Sequence, residues 1–419
     1  MRILIVNKFL HHVGGVETYL QQLSRCLDDR GHEVHFFGMN PPAGQSVIPE
    51  AANRCTTSPN REFNQDPGKA LVAGLNSVYS PTVEKRLNRV INEFKPQIVH
   101  FHATCRQLTP SVARATRTHK IPSVTTVHEY KPVCSSQRLW DDNTSEPCTA
   151  CIGQSSARKR SLNIVRRRCV RGSLLASATA IAELPISDRL WAASRTIYHA
   201  PSQFMHDLIQ NAPFIPNDVY YYDLPWGKPA TYTPSSDAHQ TAMYIGRLAP
   251  EKGVDTLLDA WRIVQEHNPH AKLVIAGSGD CEDGLIQQAN RLGLLNVKFI
   301  GRYDRDRLAD LLNGAAVTCH PSTWAENSPF TVRESLQHGV PAIVTDQGGL
   351  PEMVECETGR VIACKSPSEL AEAISLELTD NRAGSRSLTQ AVSKRAVSTE
   401  RHMEDLERLY HAAESKWLP

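Results

Sequence analysis

The chain has 419 residues, 41% hydrophobic and 21% charged, which is the balance of a globular protein with ample core and two or three domains. Lys and Arg number 46 against 44 Asp and Glu, a formal net charge of +2, so no overall attraction to nucleic acid is implied. No apolar run is long enough to span a bilayer, and the 11 cysteines without a secretory signal indicate reduced thiols in a cytoplasmic setting.

The opening MRILIVNKFL is too short for a signal peptide and reads as a buried first strand over 3–6. Val16, Tyr19, Leu20, Leu23 and Leu27 recur at helical spacing, and Gly31 stops that helix. VHFF (34–37), IVHFH (98–102), SVTTV (123–127) and RTIYHA (195–200) are further strands, the last followed by a helix over 202–211. Around 217–240 the period collapses into a Pro-, Tyr- and Ser-rich stretch that reads as an interdomain connector. A second series follows, with strands at 242–246, 272–276, 297–300, 315–319, 341–345 and 359–363 and helical patterns between them. Residues 398–415 form a polar amphipathic helix. The expectation is an α/β protein with two doubly wound, Rossmann-like domains, over 1–216 and 241–397, with ligands at the carboxyl ends of the strands. The segment 398–419 is expected to dock back on the first domain.

Three stretches combine residue types that bind anions and sugars. In HHVGGVETYL (11–20), Gly14 and Gly15 lie between a strand and a helix, where backbone approaches a ligand closely. The same residues equally fit a tight strand–helix turn. In YIGRLAPEKGVDTLL (244–258), Arg247 and Lys252 flank a loop entering a helix and suit a diphosphate; an exposed charged loop fits as well. In STWAENSPFTVRESLQHGVPAIV (322–344), Ser328 is expected as N-cap and Pro329 as first helical residue. Glu326 then stays in the loop at the strand's end, and Glu334 lies about one turn into the helix. Pro329 has no N–H, so amides from its neighbours, Phe330 and Thr331 among them, have to complete a phosphate cradle. A capped surface helix with solvated acids is the alternative. DRD (304–306) is set aside as a short acidic helix start.

The order and separation of these motifs resemble family 4 of the retaining glycosyltransferases, which have the GT-B fold of two Rossmann-like domains facing across a cleft. The resemblance covers nearly the whole chain: Gly-Gly-x-Glu, Gly-Arg-x4-Lys-Gly, Glu-x7-Glu followed by Gly339 and Pro341, and QGGLPEMV (347–354). It implies an acceptor-side N-terminal domain and a nucleotide-sugar-binding C-terminal domain. Arg247 and Lys252 would hold the diphosphate, Glu334 the ribose and Glu326 the donor sugar, with Ser328, Phe330 and Thr331 beside the phosphates and Gly14 and Gly15 offering backbone to them. TTVHEY (125–130) matches a further family segment and would place His128 beside the donor sugar, whereas alone it reads as a core histidine. The implied activity is metal-independent transfer of a sugar, with retention, from a UDP- or GDP-sugar to a saccharide or lipid-linked hydroxyl in polysaccharide or glycoconjugate synthesis. The rival readings are a nucleotide-sugar epimerase and a catalytically silent, metal-stapled interaction protein. Two departures stand out: PNDVY (216–220) at the interdomain link, and Pro329 where a Gly is common.

An insert over 131–171 has its own logic. Cys134, Cys148, Cys151 and Cys169 form C-x13-C-x2-C-x17-C, which suits a structural zinc; a redox pair or incidental free thiols are the competing readings. The insert also carries Arg158, Lys159, Arg160, Arg166, Arg167, Arg168 and Arg171. Without interleaved aromatics these favour an anionic membrane surface, at the inner face of the membrane, over nucleic acid.

Overall fold

Short, wholly apolar runs alternating with amphipathic ones fold into two sheets, each parallel and covered by helices. A computed structural model of the chain describes residues 1–59, 76–170, 172–212, 215, 218–226 and 230–417. It divides into two compact units, one of Met1–Thr144, Cys148–Asp223 and Glu400–Pro419, the other of Ser145–Pro147 and Leu224–Thr399. Among the described residues no helix is long and apolar enough to cross a membrane.

The first unit holds β1 (Arg2–Val6), β2 (Glu33–Met39), β3 (Cys55–Ser58), β4 (Ile98–Phe101), β5 (Ser123–Thr126), β6 (Ile197–Ala200) and β7 (Val219–Tyr221), in the order β3-β2-β1-β4-β5-β6-β7. Its helices are α1 (Gly15–Asp29), α2 (Pro81–Phe94), α3 (Ser111–Thr118), α4 (Ala157–Arg166), α5 (Leu174–Ala193) and α6 (Gln203–Ile209). The central strands are buried on both faces, so they read as continuous hydrophobic runs rather than alternating ones. Leu4, Phe37 and Val99 of the sheet pack on Leu87 of α2 and Val112 of α3. The start of α2 shows a sequence-encoded boundary: the Ser80 hydroxyl accepts from the Val83 amide at 3.2 Å, with Pro81 in the first turn.

The second unit repeats the plan with β8 (Thr241–Ile245), β9 (Lys272–Ala276), β10 (Val297–Gly301), β11 (Val317–His320), β12 (Ala342–Thr345) and β13 (Gly359–Ile362), in the order β10-β9-β8-β11-β12-β13. Around them lie α7 (Val254–His267), α8 (Glu282–Arg291), α9 (Leu308–Asn313), α10 (Phe330–Gln337), α11 (Pro367–Asp380) and α12 (Arg386–Arg395). Leu257, Trp261 and Val264 of α7 pack with Leu273 and Ile275 of β9 and Ile374 of α11. Each such large side chain contributes roughly 1.5–3 kcal/mol by leaving water.

The stretch 217–240 differs from the expected connector. Val219–Tyr221 pairs with β6 as the edge strand of the first sheet. Trp226 is buried in the second unit's core, and the Ser235 amide donates to the Asn313 carbonyl at 2.9 Å. Tyr220 and Tyr221 stay exposed on that edge strand, whereas Trp226 is buried, so no single period runs through the stretch. Pro216 and Asn217 of the departing PNDVY motif lie outside the described residues.

The last helix, α13 (Thr399–Ser415), belongs to the first unit. Its His402 Nε2 meets the Tyr19 hydroxyl at 2.9 Å, and its Tyr410 hydroxyl meets His100 Nδ1 at 2.9 Å. Glu407 pairs with Arg30 at 3.2 Å.

Candidate active site

In the second unit, the ends of β8 and β11 bring distant segments together. The Lys252 ammonium donates to Glu326 Oε1 at 2.5 Å, and the Ser322 hydroxyl donates to the same oxygen at 2.8 Å. The ammonium also lies 5.4 Å from the Trp324 ring centroid, within cation–π reach. Burial alone would raise the Glu326 carboxyl, but the Lys252 charge, with Trp324 and Ser322 donating, holds it below the ordinary carboxylate range. Nearby, burial pushes His320 down to about 4, so that ring is neutral at pH 7.

Backbone contacts lock this pair of loops. The Thr323 amide donates to the Glu251 carbonyl at 2.9 Å, tying the Arg247–Lys252 loop to the Glu326 loop. Gly253 turns into α7 with φ +66°, and a Cβ there would lie 2.0 Å from the Pro321 carbonyl oxygen. Gly348 has φ +63°, and a Cβ would lie 2.2 Å from the Glu326 carbonyl oxygen, which accepts from the Gly349 amide at 2.7 Å. The glycine pair therefore sets where Glu326 stands.

Arg247 keeps most of its side chain in solvent and is paired at 2.8 Å with Glu251, itself 1% exposed. Glu334 is buried on α10, while Phe330 and Thr331 are half-buried in its first turn. The expected cap differs: Pro329 is the N-cap, Phe330 is the first helical residue, and no side chain caps the helix. Ser328 is diverted because its hydroxyl accepts from the Arg333 guanidinium, a buried group that also donates to the Leu224 carbonyl at 2.6 Å and lies over the Trp226 ring. The first-turn amides of α10 are thus left without a side-chain cap, the arrangement that suits an anion.

In the first unit, Gly14 is the N-cap of α1 and its amide donates to Glu17 Oε2 at 2.9 Å; Gly15 opens the helix. Asn7 Nδ2 donates to the other Glu17 oxygen at 3.1 Å, so this turn is braced by a buried acid. His128 follows β5 and is half-buried, its Nε2 3.1 Å from His102 Nδ1. Burial, then the neighbouring His199 and Lys8, push His128 down to about 3. Beside it, His100 Nε2 lies 2.8 Å from the Thr126 hydroxyl, which lies 2.9 Å from His199 Nδ1; His199 Nε2 donates to the Tyr222 carbonyl at 2.8 Å. Burial holds all of these rings neutral.

The four insert cysteines converge: Cys134, Cys148, Cys151 and Cys169 line one small cavity. Among the described residues no group of three or more His, Cys, Asp or Glu side chains has the geometry of a metal centre, so the expected zinc site has no direct support here. The thiols make contacts within the protein. Cys134 Sγ lies 3.1 Å from the Ser136 hydroxyl, and Cys169 donates to the Asn163 carbonyl at 3.7 Å. Burial, then the Cys134, Cys151 and Cys148 sulfurs, push Cys169 up to about 12, so that thiol is protonated at pH 7. Arg171 of the basic run lies outside the described residues.

Several contributors escaped sequence reasoning: Glu251, Trp324 and Arg333 in the second unit, and His102 in the first; Gly348 lies in the QGGLPEMV motif. Only Glu251, four residues after Arg247, carried a readable signal, as an i,i+4 pair.

The chain was compared with known proteins. Residues 13–220 match the model of Glycosyltransferase Family 4, and residues 233–396 that of Glycosyl transferases group 1. A phosphatidyl-myo-inositol mannosyltransferase of Mycobacterium leprae is 26% identical over 382 residues, covering 89% of this chain and 86% of that protein. An uncharacterized glycosyltransferase of Methanocaldococcus jannaschii is 34% identical over 149 residues, but the match spans only 34% of this chain and 37% of that protein. Among solved structures, a sucrose-phosphate synthase from Thermosynechococcus elongatus superposes with a TM-score of 0.68 at 18% identity, covering 98% of this chain and 99% of the other. Anabaena HepE in complex with UDP and glucose does so with a TM-score of 0.66, also at 18% identity and with the same coverage. Two doubly wound units of this strand order, with the two models matched in turn along the chain, identify it as a glycosyltransferase of the GT-B fold.

Proposed function

We propose that the protein moves a sugar from a UDP- or GDP-linked donor to a hydroxyl of a saccharide or lipid-linked acceptor, with retention and without a catalytic divalent metal. The observation that carries this reading is the Lys252–Glu326 contact beside an uncapped helix start. Lys252, Arg247 and the Phe330 and Thr331 amides bind the donor diphosphate, and Glu334 binds the ribose. Glu326 takes the sugar hydroxyls, exchanging its bond with Lys252 for bonds to the donor. His128 positions the donor sugar near the reacting carbon as a neutral imidazole, and Gly14 and Gly15 offer backbone to the phosphates.

Charge develops on the departing phosphate, so pre-aimed cations and amides lower the barrier where it counts. The acceptor oxygen attacks the anomeric carbon on the face the diphosphate leaves. The bond from that carbon to the phosphate oxygen breaks, and the freed oxygen takes the acceptor proton. The UDP-bound neighbour supports a UDP-sugar, and another relative, a mannosyltransferase of Corynebacterium glutamicum named GDP-mannose-dependent and 33% identical over 141 residues, supports a GDP-sugar. The phosphatidylinositol acceptor in the relative's name supports a lipid-linked acceptor at the membrane surface.

A thermal-shift screen of nucleoside diphosphates tests the donor, because a ligand bound only by the folded state raises the melting temperature. NMR of the product tests the stereochemistry, and an inverted anomer would refute the mechanism. The zinc expectation for the four cysteines has one support, their convergence on a single cavity. One zinc per chain in protein purified under reducing conditions would establish it; a metal-free chain with four titratable thiols in the insert would remove it.

A further inference from the structure

The insert turns apolar residues outward where a soluble helix would bury them. On α4, Ile164 is fully buried and Arg160 is 6% exposed, which fixes the inward face. The opposite face carries Arg158, Lys159, Leu162, Val165 and Arg166, which fall within about 120° of arc at ~100° per residue. Leu162 is 62% exposed and Val165 49%; Leu174 and Leu175, at the start of the neighbouring α5, are 55% and 54% exposed. The two helices are held together by Ile164, Val170, Ala180 and Leu184, so the outward leucines sit on a braced scaffold.

The charge around them is of one sign. No Asp or Glu occurs between Glu146 and Glu183. The nearby acids are spent internally, Asp141 on Arg167 at 3.0 Å and Asp188 on Arg160. Arg166, Arg167 and Arg168 line an open groove of about 580 Å³ with Asn143, Thr144, Asn163 and Asp141; Asp141 pairs with Arg167, which leaves Arg166 and Arg168 as the cations that suit a phosphate.

We propose that this face of α4 and the first turn of α5 docks on an anionic phospholipid bilayer. Leu162, Val165, Leu174 and Leu175 enter the acyl boundary, and the arginine groove takes a lipid phosphate. Interleaved leucines and cations are the pattern of a helix lying in the membrane interface. Nucleic acid would call for stacking aromatics, and the exposed face of α4 has none. The inference rests on the transferase reading only for its purpose, delivery of the protein to a lipid-linked acceptor; the surface itself is read independently.

The test is sedimentation of the full chain with phosphatidylcholine vesicles, with or without about a third phosphatidylglycerol, at ~0.05 M and ~0.5 M salt. Binding to the anionic vesicles alone, lost at high salt, is the expected result. Leu162→Asp with Leu174→Asp, and separately Arg166→Glu with Arg168→Glu, each lower the partition at least about tenfold. Both variants keep the wild-type thermal shift with nucleoside diphosphate, since the sites are exposed and outside the donor machinery. Equal binding to neutral vesicles, no binding at low salt, unaffected variants, or tighter binding of a single-stranded oligonucleotide than of vesicles would each overturn the proposal. If vesicle binding fails while a nucleoside diphosphate still shifts the melting temperature, the docking surface falls and the transferase reading stands. If no nucleotide shifts it and vesicles still bind, the reverse holds.

Discussion

The two units end their sheets on opposite kinds of chemistry. Behind β8 and β11 stand full charges, the half-buried Lys252 against the buried Glu326. Behind β4, β5 and β6 stand neutral imidazoles, with His100 opposite Val124 in the register and His199 opposite Thr126. The same doubly wound plan thus yields one set of strand ends carrying a paired charge and another carrying neutral rings. Partners decide which: a buried carboxylate keeps its charge beside an ammonium, whereas rings packed among other rings give up their proton.

The largest expected effect breaks the charged edge. Glu326→Ala leaves Lys252 facing an empty position, and turnover should fall by about 100-fold or more in a donor-consumption assay. Glu326→Gln, which keeps the shape, should recover folding but not rate. Gly348→Ala tests whether backbone sets that edge. Its φ of +63° and the 2.2 Å approach to the Glu326 carbonyl predict a loss of about 3 kcal/mol, read as an earlier denaturant midpoint for the second unit.

The neutral edge is broken by acid. Burial pushes His199 down to about 4, against an ordinary value near 6.5. The unfolded chain therefore binds this proton first as pH falls. The stabilisation is fully present above about pH 6.5, declines between there and about pH 4, and amounts to ~3 kcal/mol. Melting should weaken across that window before most carboxylates titrate, and His199→Gln should flatten the slope. The smallest effect sharpens the contrast. Arg247→Ala removes an exposed pair, so stability should move by under about 0.5 kcal/mol while nucleoside diphosphate affinity falls about tenfold by calorimetry.

Much of the fold was legible because central parallel strands are buried on both faces and announce themselves as apolar runs. The edge strands of the first sheet were not: Cys55–Ser58 and Val219–Tyr221 carry polar or exposed residues with no alternation to read. In the candidate site, residue types and spacing picked out Lys252 and Glu326 separately, but their contact depends on the crossover from β8 to β11. The Ser328–Pro329 signal misplaced the helix start by one residue, since the same Ser-Pro pair caps α2 at Ser80 and nothing local reveals that Arg333 claims the Ser328 hydroxyl. Each histidine alone reads as an ordinary core residue. Strand register, which no single segment encodes, assembles them into one network.

The helix α13 has a consequence for synthesis. Tyr410 and His402 complete the hydrogen bonds of His100 and Tyr19, yet they emerge from the ribosome only after the whole second unit has been made. The nascent first unit waits with two buried polar partners unmet and an uncovered flank. It reaches its native state only once α13 has followed the second unit out, so closure of its fold comes late.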